Sequence, residues 1–350
     1  MTSTIWYTRC PVPTPLGIAA RLGWLDDEFA PDGIAIRSLQ DGGVSAAQRR
    51  SHVDHTLPHS WRQGGSIPAL WARSNGADTR VLGFSWVDES QLIITRANSG
   101  IHTLADLRGR RIGLPLRAVD NVDIFRAMAL RGFVSALSLA GLGLADVEHV
   151  HVPVTDTPDI AINPEQAGAR QPSALRSRRL YAAETGALLR GEVDAIYAKG
   201  SLGLELAYMV GARVLVDIGF HPDPQIRVNN GSPRPITLDA AALQQHPEHA
   251  RRFLRRIVEV GDWARQHPDH AIDWLAGETA SAPDWVRLAY GARVHEGLAT
   301  TLDDATLRAF DEFKHFLLQH QFLPADFSVR DWVDPAPLAD VLEQLHARAA

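Results

Sequence analysis

Short apolar runs alternate with longer amphipathic stretches in the part of the chain before about Thr237. Apolar and polar residues alternate in "DGIAIRSL" (Asp32–Leu39), whereas "RVLGFSW" and "QLIITR" are nearly continuous apolar runs. Alternation with a period of two is typical of a strand with one buried face, and a short continuous run is typical of a fully buried strand. The pattern therefore predicts three strands in these segments.

Two later segments repeat one order of elements: a helix, a glycine that ends it, and a strand. In "TLADLRGRRIGLP", Thr103 caps a one-turn helix, Gly109 ends it, and a strand runs through Ile112. In "AAETGALLRGEVDAIYAKG", the helix ends at Gly191 and a strand covers Asp194–Tyr197, with another strand in "GARVLVDIG". Glycine suits the end of a helix because it adopts the left-handed conformation readily. The proline-rich stretch "TDTPDIAINPEQAGARQPS" between them predicts a loop.

The pattern turns helical from about Thr237 onward. One face of an amphipathic helix is formed by apolar residues at i, i+4, i+7 and i+11, namely Phe253, Ile257, Val260 and Ala264. A second long helix is predicted in "TTLDDATLRAFDEFKHFLLQHQFL", with its start at Leu302, Asp303 and Asp304.

Alternation of strands and helices, followed by a helical tail, predicts an α/β protein with mainly parallel sheets. At 350 residues the chain is long enough for two lobes, each with its own core. Ligands of open α/β sheets bind beyond the carboxyl ends of the strands. Two lobes that face each other would therefore hold a small molecule in the cleft between them.

Composition and charge narrow the possible partners. The formal net charge is −6, which argues against nucleic acid because such a ligand requires a basic face. No window approaches the roughly 18 apolar residues of a membrane span, so we expect no membrane partner. The first residues, "MTSTIWYTRCPVP", lack a basic leader with an apolar stretch. We therefore expect a cytoplasmic monomer whose partner is a small anionic molecule.

The single cysteine, Cys10, excludes an intramolecular disulfide and a cysteine-based metal site. It precedes a proline, which favours an extended backbone at Cys10, at a strand end or turn before a helix that begins near Pro13 to Leu16. A free cysteine is often a small buried apolar residue. At the start of a helix, however, the macrodipole favours a reactive thiolate, so both interpretations stay open.

Three histidines, His52, His55 and His59, follow at spacings of three and four residues. On one helix they could share a face and bind a metal, but Pro58 and the lack of neighbouring carboxylate ligands argue against a metal site. One alternative is a solvated polar loop. The other is that one of these imidazoles meets Cys10 as an acid–base partner.

The stretch "SWRQGGSIPALW" combines an arginine with two adjacent glycines ahead of an apolar helix start. Gly64 and Gly65 allow the backbone to approach a ligand closely, and N–H groups at a helix start bind anions. Arg62 can add a guanidinium fork for an oxyanion. A surface turn with a solvated arginine is the alternative explanation of this string.

Taken in order, "YTRCPVPTPLGIA", His52 and "WRQGGSIPALW" resemble the aromatic sulfinate desulfinases of the dibenzothiophene desulfurisation pathway. The resemblance continues through "DLRGRRIGL", "GEVDAIY", "GARVLVDIG", "WARQHPDHA" and "FLLQHQFL" and covers most of the chain. Its specific part is the combination of Cys-Pro-Val-Pro with a histidine ten positions before the arginine and a glycine pair ending three positions after it.

This resemblance implies a two-lobed fold similar to the type II periplasmic solute-binding proteins. Each lobe is then a mixed, mostly parallel sheet flanked by helices, and the C-terminal region is helical. Residues 1–100 and 218–350 are expected to form the first lobe and residues 101–217 the second. The active site is expected in the cleft between them.

The resemblance also implies roles for individual residues. Cys10 matches the essential cysteine and His52 the histidine that partners it, while Arg62 and the backbone of the Gly64–Gly65 pair, above all the Gly65 N–H, match the groups that hold the sulfinate oxygens. The implied reaction is hydrolysis of a carbon–sulfur bond with release of sulfite, without a cofactor or metal. Cys10 would act either as a proton donor to carbon or as a nucleophile toward sulfur.

Two alternatives remain at this stage. The segment from Leu116 to about Met128 is shorter than the region that covers the substrate in the family, so the organic group of the substrate stays open. A solute-binding protein for sulfonate, nitrate or a thiamine precursor, a component of an uptake system without catalysis, is the other function that the fold would allow.

Overall fold

The computed structural model describes residues 4–118, 121–154 and 180–349. The predicted loop "TDTPDIAINPEQAGARQPS" lies outside them. In chain order, the strands are β1 Thr4–Arg9, β2 Ala35–Ser38, β3 Ser60–Gln63, β4 Thr79–Ser85, β5 Gln91–Thr95, β6 Arg111–Leu116, β7 Glu148–Pro153, β8 Ala195–Lys199, β9 Arg213–Asp217, β10 Arg234–Asp239 and β11 Thr300–Thr301. They form one sheet in the order β11-β4-β10-β3-β1-β2 and another in the order β7-β6-β8-β5-β9.

The α-helices of the described residues flank these sheets, and seven of the fifteen follow β10. They are α1 Pro15–Arg21, α2 Trp24–Phe29, α3 Ala46–Asp54, α4 Ser66–Ser74, α5 Ile124–Ser138, α6 Ala182–Arg190, α7 Gly200–Met209, α8 Pro224–Arg227, α9 Ala240–Gln245, α10 Pro247–Gln266, α11 Pro268–Thr279, α12 Pro283–Tyr290, α13 Asp304–Gln319, α14 Val329–Trp332 and α15 Ala336–Ala349. Short 3₁₀ turns add Ala30–Asp32, Leu104–Leu107, Leu144–Asp146 and Val294–Leu298.

The predicted order of helix, glycine and strand is confirmed in both segments. Thr103 caps the turn Leu104–Leu107, and Gly109 and Gly191 adopt the left-handed conformation directly before β6 and β8. The apolar face predicted for α10 is fully buried, and Asp303 caps α13. Local capping chemistry therefore determines where these elements begin and end.

The α/β class with two sheets flanked by helices is confirmed, but the sheets are mixed rather than mostly parallel. Among the described residues, β1 pairs with β2 and β3 in parallel, whereas β10 runs antiparallel to β3 and β4. In the second sheet, β5 runs antiparallel to β8 and β9. The reason lies in the two crossovers of the chain between the sheets, from β4 to β5 and from β9 to β10. Because β5 and β10 each begin at a crossover, they run in the opposite direction to the strands that they pair with.

These crossovers also refine the expected division of the chain. By residue number β5 falls in the predicted first lobe, but it pairs within the second sheet, so the chain crosses before Gln91 rather than at residue 100. The helical region begins only after Asp239, because Thr237 still belongs to β10. The division into two domains itself stays a prediction.

Apolar side chains fill the space on and between the sheets. One buried cluster contains Ile67 and Phe84 from the side of the first sheet together with Ile93 and Tyr197 from the second. Another packs α1 and α10 against the first sheet around Trp61. Within the described residues, no helix combines the length and apolar character that crossing a bilayer requires.

The parallel pairing of β1 and β3 places their carboxyl ends side by side. Thr8 lies opposite Arg62 and Arg9 opposite Gln63. Cys10 and Gly64, the next residue of each chain segment, therefore meet at the edge of the first sheet where the crossovers also lie.

Candidate active site

Cys10 lies half-buried directly after β1, where the chain turns: the Val12 N–H donates to the Cys10 carbonyl at 2.8 Å. The segment after β1 ends where Thr14 caps α1: its hydroxyl accepts a 3.1 Å hydrogen bond from the Gly17 N–H. The sequence suggested that the thiol lies at the N-terminus of this helix. This expectation is wrong, because α1 begins only at Pro15, five residues after Cys10. The helix start next to the thiol is that of α4.

His52 is brought to Cys10 by α3. Ser45 and Gln48 form a capping box that begins this helix, so the segment is not the solvated polar loop considered above. The His52 ring is buried, and its Nε2 lies 3.5 Å from the Sγ of Cys10. The fold thus places the His52 imidazole within hydrogen-bond reach of the single thiol.

The other two histidines lie apart from the thiol. His55 ends α3 in the left-handed conformation, and its Nε2 is buried without a hydrogen-bond partner in the described part of the chain. Burial lowers the pKa of His55 well below its usual value, and the charges of Arg62 and His52 lower it further. His59 packs against the ring of His246. Of the three, only His52 faces Cys10.

Two residues that the sequence pattern did not indicate orient the His52 ring. The Nδ1 of His52 lies 2.6 Å from the hydroxyl oxygen of Thr8, which is fully buried on β1. The side-chain amide of Gln40 donates to the same hydroxyl oxygen at 3.1 Å and to the Arg9 carbonyl at 3.0 Å. Ser38 in turn donates to the Gln40 side-chain oxygen. A buried hydrogen-bonded chain therefore fixes the imidazole plane.

Arg62 is buried on β3 and braces the backbone around the thiol. Its Nε donates to the His52 carbonyl at 2.9 Å and its Nη2 to the Gly65 carbonyl at 3.0 Å. The remaining nitrogen, Nη1, is buried with no hydrogen-bond partner among the residues that the structure describes. Burial lowers the pKa of Arg62, but an arginine remains cationic in any protein environment. The site thus contains a fixed positive charge with one unused donor.

The glycine pair lets the backbone approach the thiol. A Cβ on Gly64 would lie 2.3 Å from the Sγ of Cys10, so a side chain at this position would displace the sulfur. Gly65 precedes α4, and its backbone N–H is one of the groups that lower the pKa of the Cys10 thiol. A Cβ on Gly65 would collide with the side chain of Asn230, another residue that the sequence pattern did not indicate.

These neighbours determine the acidity of the thiol. Burial alone raises the pKa of Cys10, but the electrostatic effect of His52, its hydrogen bond, Arg62 and the Gly65 N–H lower it to about 6. At neutral pH the thiol is therefore largely a thiolate. This is the electropositive environment expected of a reactive rather than a structural cysteine.

A surface groove of about 660 Å³ lies elsewhere, between α5 and α13. Its lining includes Arg131, Phe316 and His320 but none of the residues around Cys10. Since the groove is lined by no cysteine, we assign the candidate chemistry to the Cys10 site.

The arrangement can hold an anion next to a reactive sulfur. Arg62 and Gly65 offer donors on one side, and His52 offers a proton carrier within reach of the thiolate. In the part of the chain that the structure describes, no group of three or more metal-ligating side chains is found.

Comparison with known proteins confirms the resemblance on which the sequence analysis relied. The chain is 27% identical over 364 residues to the 2'-hydroxybiphenyl-2-sulfinate desulfinases of Rhodococcus erythropolis and Rhodococcus qingshengii, covering 97% of this chain and 94% of theirs. No family model matches the chain.

Solved structures give the same result. A cysteine-to-serine variant of DszB in complex with biphenyl-2-sulfinic acid superposes with a TM-score of 0.74 at 26% identity, covering 98% of this chain and 100% of that chain. The periplasmic aliphatic sulphonate-binding protein SsuA from Escherichia coli superposes with a TM-score of 0.66 at 15% identity, over 96% of this chain and 93% of its own. The likeness to SsuA concerns the fold alone.

Proposed function

We propose that this chain is a sulfinate desulfinase: an enzyme that cleaves the carbon–sulfur bond of an organic sulfinate with water and releases sulfite. The likeness to the desulfinases over nearly the whole chain supports the reaction class. The single observation that carries the assignment to this site is the contact of His52 Nε2 with the Cys10 sulfur, beside the buried guanidinium of Arg62, whose Nη1 has no hydrogen-bond partner in the described part of the chain.

Arg62 and Gly65 are suited to the charged end of such a substrate. A sulfinate carries its negative charge on two oxygens, which a guanidinium N–H and a backbone N–H can hold together. Because two backbone carbonyls fix the guanidinium, its Nη1 needs no reorganisation when the anion arrives. We propose that Nη1 and the Gly65 N–H bind the sulfinate oxygens. Because Gly64 has no side chain, the space beside the Cys10 sulfur stays open for these oxygens.

Cys10 can serve this reaction in two ways. As a thiol, it would donate its proton to the carbon that bears sulfur; the carbon–sulfur bond breaks, and the departing sulfur dioxide takes up water as bisulfite. As a thiolate, it would attack sulfur, the carbanion would leave with a proton from His52, and water would release bisulfite from the Cys–S–SO₂⁻ adduct. Both routes give R–SO₂⁻ + H₂O → R–H + HSO₃⁻.

His52 has a place in either route. In the first it returns a proton to the thiolate, and in the second it supplies the proton to the leaving carbon. Its contact with Thr8 holds Nε2 toward the sulfur in both cases. The bound sulfinate adds a negative charge beside Cys10 and so raises the pKa of the thiol, which favours the protonated form that the first route requires.

A direct assay tests the proposal. Purified protein is incubated with biphenyl-2-sulfinate and with smaller aryl and alkyl sulfinates, and sulfite release is measured over time. We expect sulfite from at least one aryl sulfinate and a loss of at least about 100-fold in rate for Cys10→Ser. Equal sulfite release by Cys10→Ser and the wild type would overturn the proposal.

The same experiment distinguishes the binding function that the SsuA-like fold suggests. Sulfinates or sulfonates that raise the unfolding temperature of the wild type without any sulfite release over hours would identify a binding protein instead.

A further inference from the structure

The crossover that leads from the second sheet back to β10 carries two adjacent asparagines, Asn229 and Asn230. Neither takes part in the function proposed above. Asn229 is buried and Asn230 is half-buried. Both side-chain amides contact Met128, and only the Asn230 side chain also reaches the start of α4.

Asn230 supplies both of its oxygens to the first turn of α4. Its backbone carbonyl accepts from the Ser66 N–H at 2.8 Å, and its side-chain oxygen accepts from the Ile67 N–H at 2.7 Å. N–H groups in the first turn of a helix have no hydrogen-bond partner within the helix. The two bonds to Asn230 therefore satisfy two such N–H groups of α4. Gly65 directly precedes this turn, and its N–H is the backbone donor that lowers the pKa of Cys10.

Asn230 also limits where Gly65 can lie. The side-chain amide nitrogen of Asn230 is 2.4 Å from the position that a Cβ on Gly65 would occupy. The orientation of this amide follows from its contacts, because the oxygen must face the Ile67 N–H. The nitrogen therefore faces away, toward the Met128 sulfur at 3.5 Å.

Asn229 anchors this arrangement in the second sheet. Its amide nitrogen lies 3.0 Å from the Gln91 side-chain oxygen, 3.1 Å from the Met128 carbonyl and 3.2 Å from the Tyr197 hydroxyl. Its side-chain oxygen accepts from the Asn230 N–H at 2.8 Å. A continuous series of hydrogen bonds therefore runs from the second sheet through both asparagines to the helix start beside the thiol.

We propose that Asn230 is a positioning residue of the Cys10 site: it fixes the start of α4 so that the Gly65 N–H meets the Cys10 sulfur, and Asn229 anchors it to the second sheet. The environment of the Cys10 thiol, at the edge of the first sheet, then depends on Asn230, which Asn229 anchors to the second sheet. This proposal concerns the state of the thiol and needs no substrate, so it is tested independently of the proposed function.

The experiment uses the single cysteine as its own reporter. The rate of Cys10 alkylation by iodoacetamide is measured from pH 4 to pH 10, and its midpoint gives the pKa of the thiol. Among the described residues, His52 and Arg62 are the charged groups that act on this thiol, and both are unchanged in the variants. We expect Asn230→Ala to raise the midpoint by about one pH unit, since a misplaced Gly65 N–H no longer stabilises the thiolate.

Asn229→Ala keeps both oxygens of Asn230 and loses only the anchor, so we expect a smaller shift in the same direction. Asn75→Ala is the matched control: Asn75 lies at the other end of α4, exposed, and bonds to the Trp71 carbonyl at 2.8 Å. Its midpoint should equal that of the wild type. A folded Asn230→Ala protein with an unchanged midpoint would overturn the proposal.

If Asn230→Ala does not fold, Asn229→Ala decides, and an unchanged midpoint there would again contradict the proposal. A change in midpoint together with no sulfite release by the wild type would reject the desulfinase function while leaving the positioning role in place. With an active wild type, we expect kcat to fall in Asn230→Ala more than KM rises.

Discussion

The Nε2 of His52 lies 3.5 Å from the Sγ of Cys10, while its Nδ1 lies 2.6 Å from the hydroxyl oxygen of Thr8. The ring is thus held at both nitrogens, between a thiol at the end of β1 and a hydroxyl two residues earlier on the same strand. Because one strand carries both partners of the imidazole, a shift of β1 would move them together.

The first prediction concerns the reactivity of the wild-type thiol. Since His52, Arg62 and the Gly65 N–H outweigh burial and lower the pKa of Cys10 to about 6, the rate of alkylation by iodoacetamide should rise with a midpoint near pH 6. His52→Ala should move the midpoint upward, because the electrostatic effect of the imidazole on the thiol and its hydrogen bond are lost. A wild-type midpoint near the ordinary thiol value of 9.0 would contradict this prediction.

The same pKa predicts a pH-dependent stability. The pKa of Cys10 is lower in the folded than in the unfolded state, so the folded thiolate stabilises the protein fully above about pH 9 and loses this effect as the pH falls through about 6. The free energy of unfolding of the wild type, relative to Cys10→Ser, should therefore increase between pH 6 and pH 9. Urea titrations of both proteins at each pH measure the difference, and a constant difference would refute it.

Thr8→Val should impair the reaction without unfolding the protein. Valine has nearly the shape of threonine but cannot bond to His52 Nδ1, so the ring loses its fixed orientation. We expect kcat/KM for the sulfinate to fall about tenfold, the effect of one hydrogen bond to a charged group. Thr8→Ser retains the hydroxyl and should stay close to the wild type; equal losses in both variants would show that packing rather than the hydroxyl matters.

Arg62→Lys should lower the activity far more than the same exchange at a surface arginine. A lysine cannot bond to the His52 and Gly65 carbonyls and also present a third donor to the anion. We expect kcat/KM to fall at least about 100-fold. Arg80→Lys, on β4 and separated from β3 by β10, is the matched control and should retain wild-type activity. Steady-state sulfite release by the two proteins makes the comparison.

Glu278 should matter for stability. Its carboxylate, buried on α11, lies 3.0 Å from a guanidinium nitrogen of Arg9 and 3.5 Å from one of Arg21. Burial raises the pKa of Glu278, and the two arginines only partly oppose this. Glu278→Ala leaves two positive charges without this carboxylate and should lower the free energy of unfolding by about 3 kcal/mol. Glu278→Gln, which keeps polar contacts, should cost less; chemical denaturation compares them.

Much of the site could be anticipated from the sequence because its parts lie at element ends with local signatures. The proline after Cys10 and the glycine pair after Arg62 both mark places where a strand stops. Parallel pairing of the two strands then brings these ends together. The choice of His52 among three histidines needed the family resemblance, since the register and end of α3 decide which imidazole faces the thiol.

The remaining site residues could not be anticipated in this way. Thr8 looks like any strand residue, and Gln40 reaches it from the loop after β2. Asn230 contacts Ile67 across 163 positions of the chain, and no local pattern carries such a contact. The strand β10 and its antiparallel direction were missed as well, because the helical pattern was expected from about Thr237 and no local pattern marks which way a strand runs within a sheet.

The apolar cluster that joins Ile67 and Phe84 to Ile93 and Tyr197 makes the two sheets energetically cooperative. Any motion that separates the halves must expose part of this common interior to water, at a cost that grows with the apolar area uncovered. Small displacements around the crossovers therefore cost little free energy, whereas a wide opening costs nearly as much as local unfolding. Exchange of substrate and product through such a molecule would depend on brief, shallow openings, and their frequency would set an upper limit on turnover.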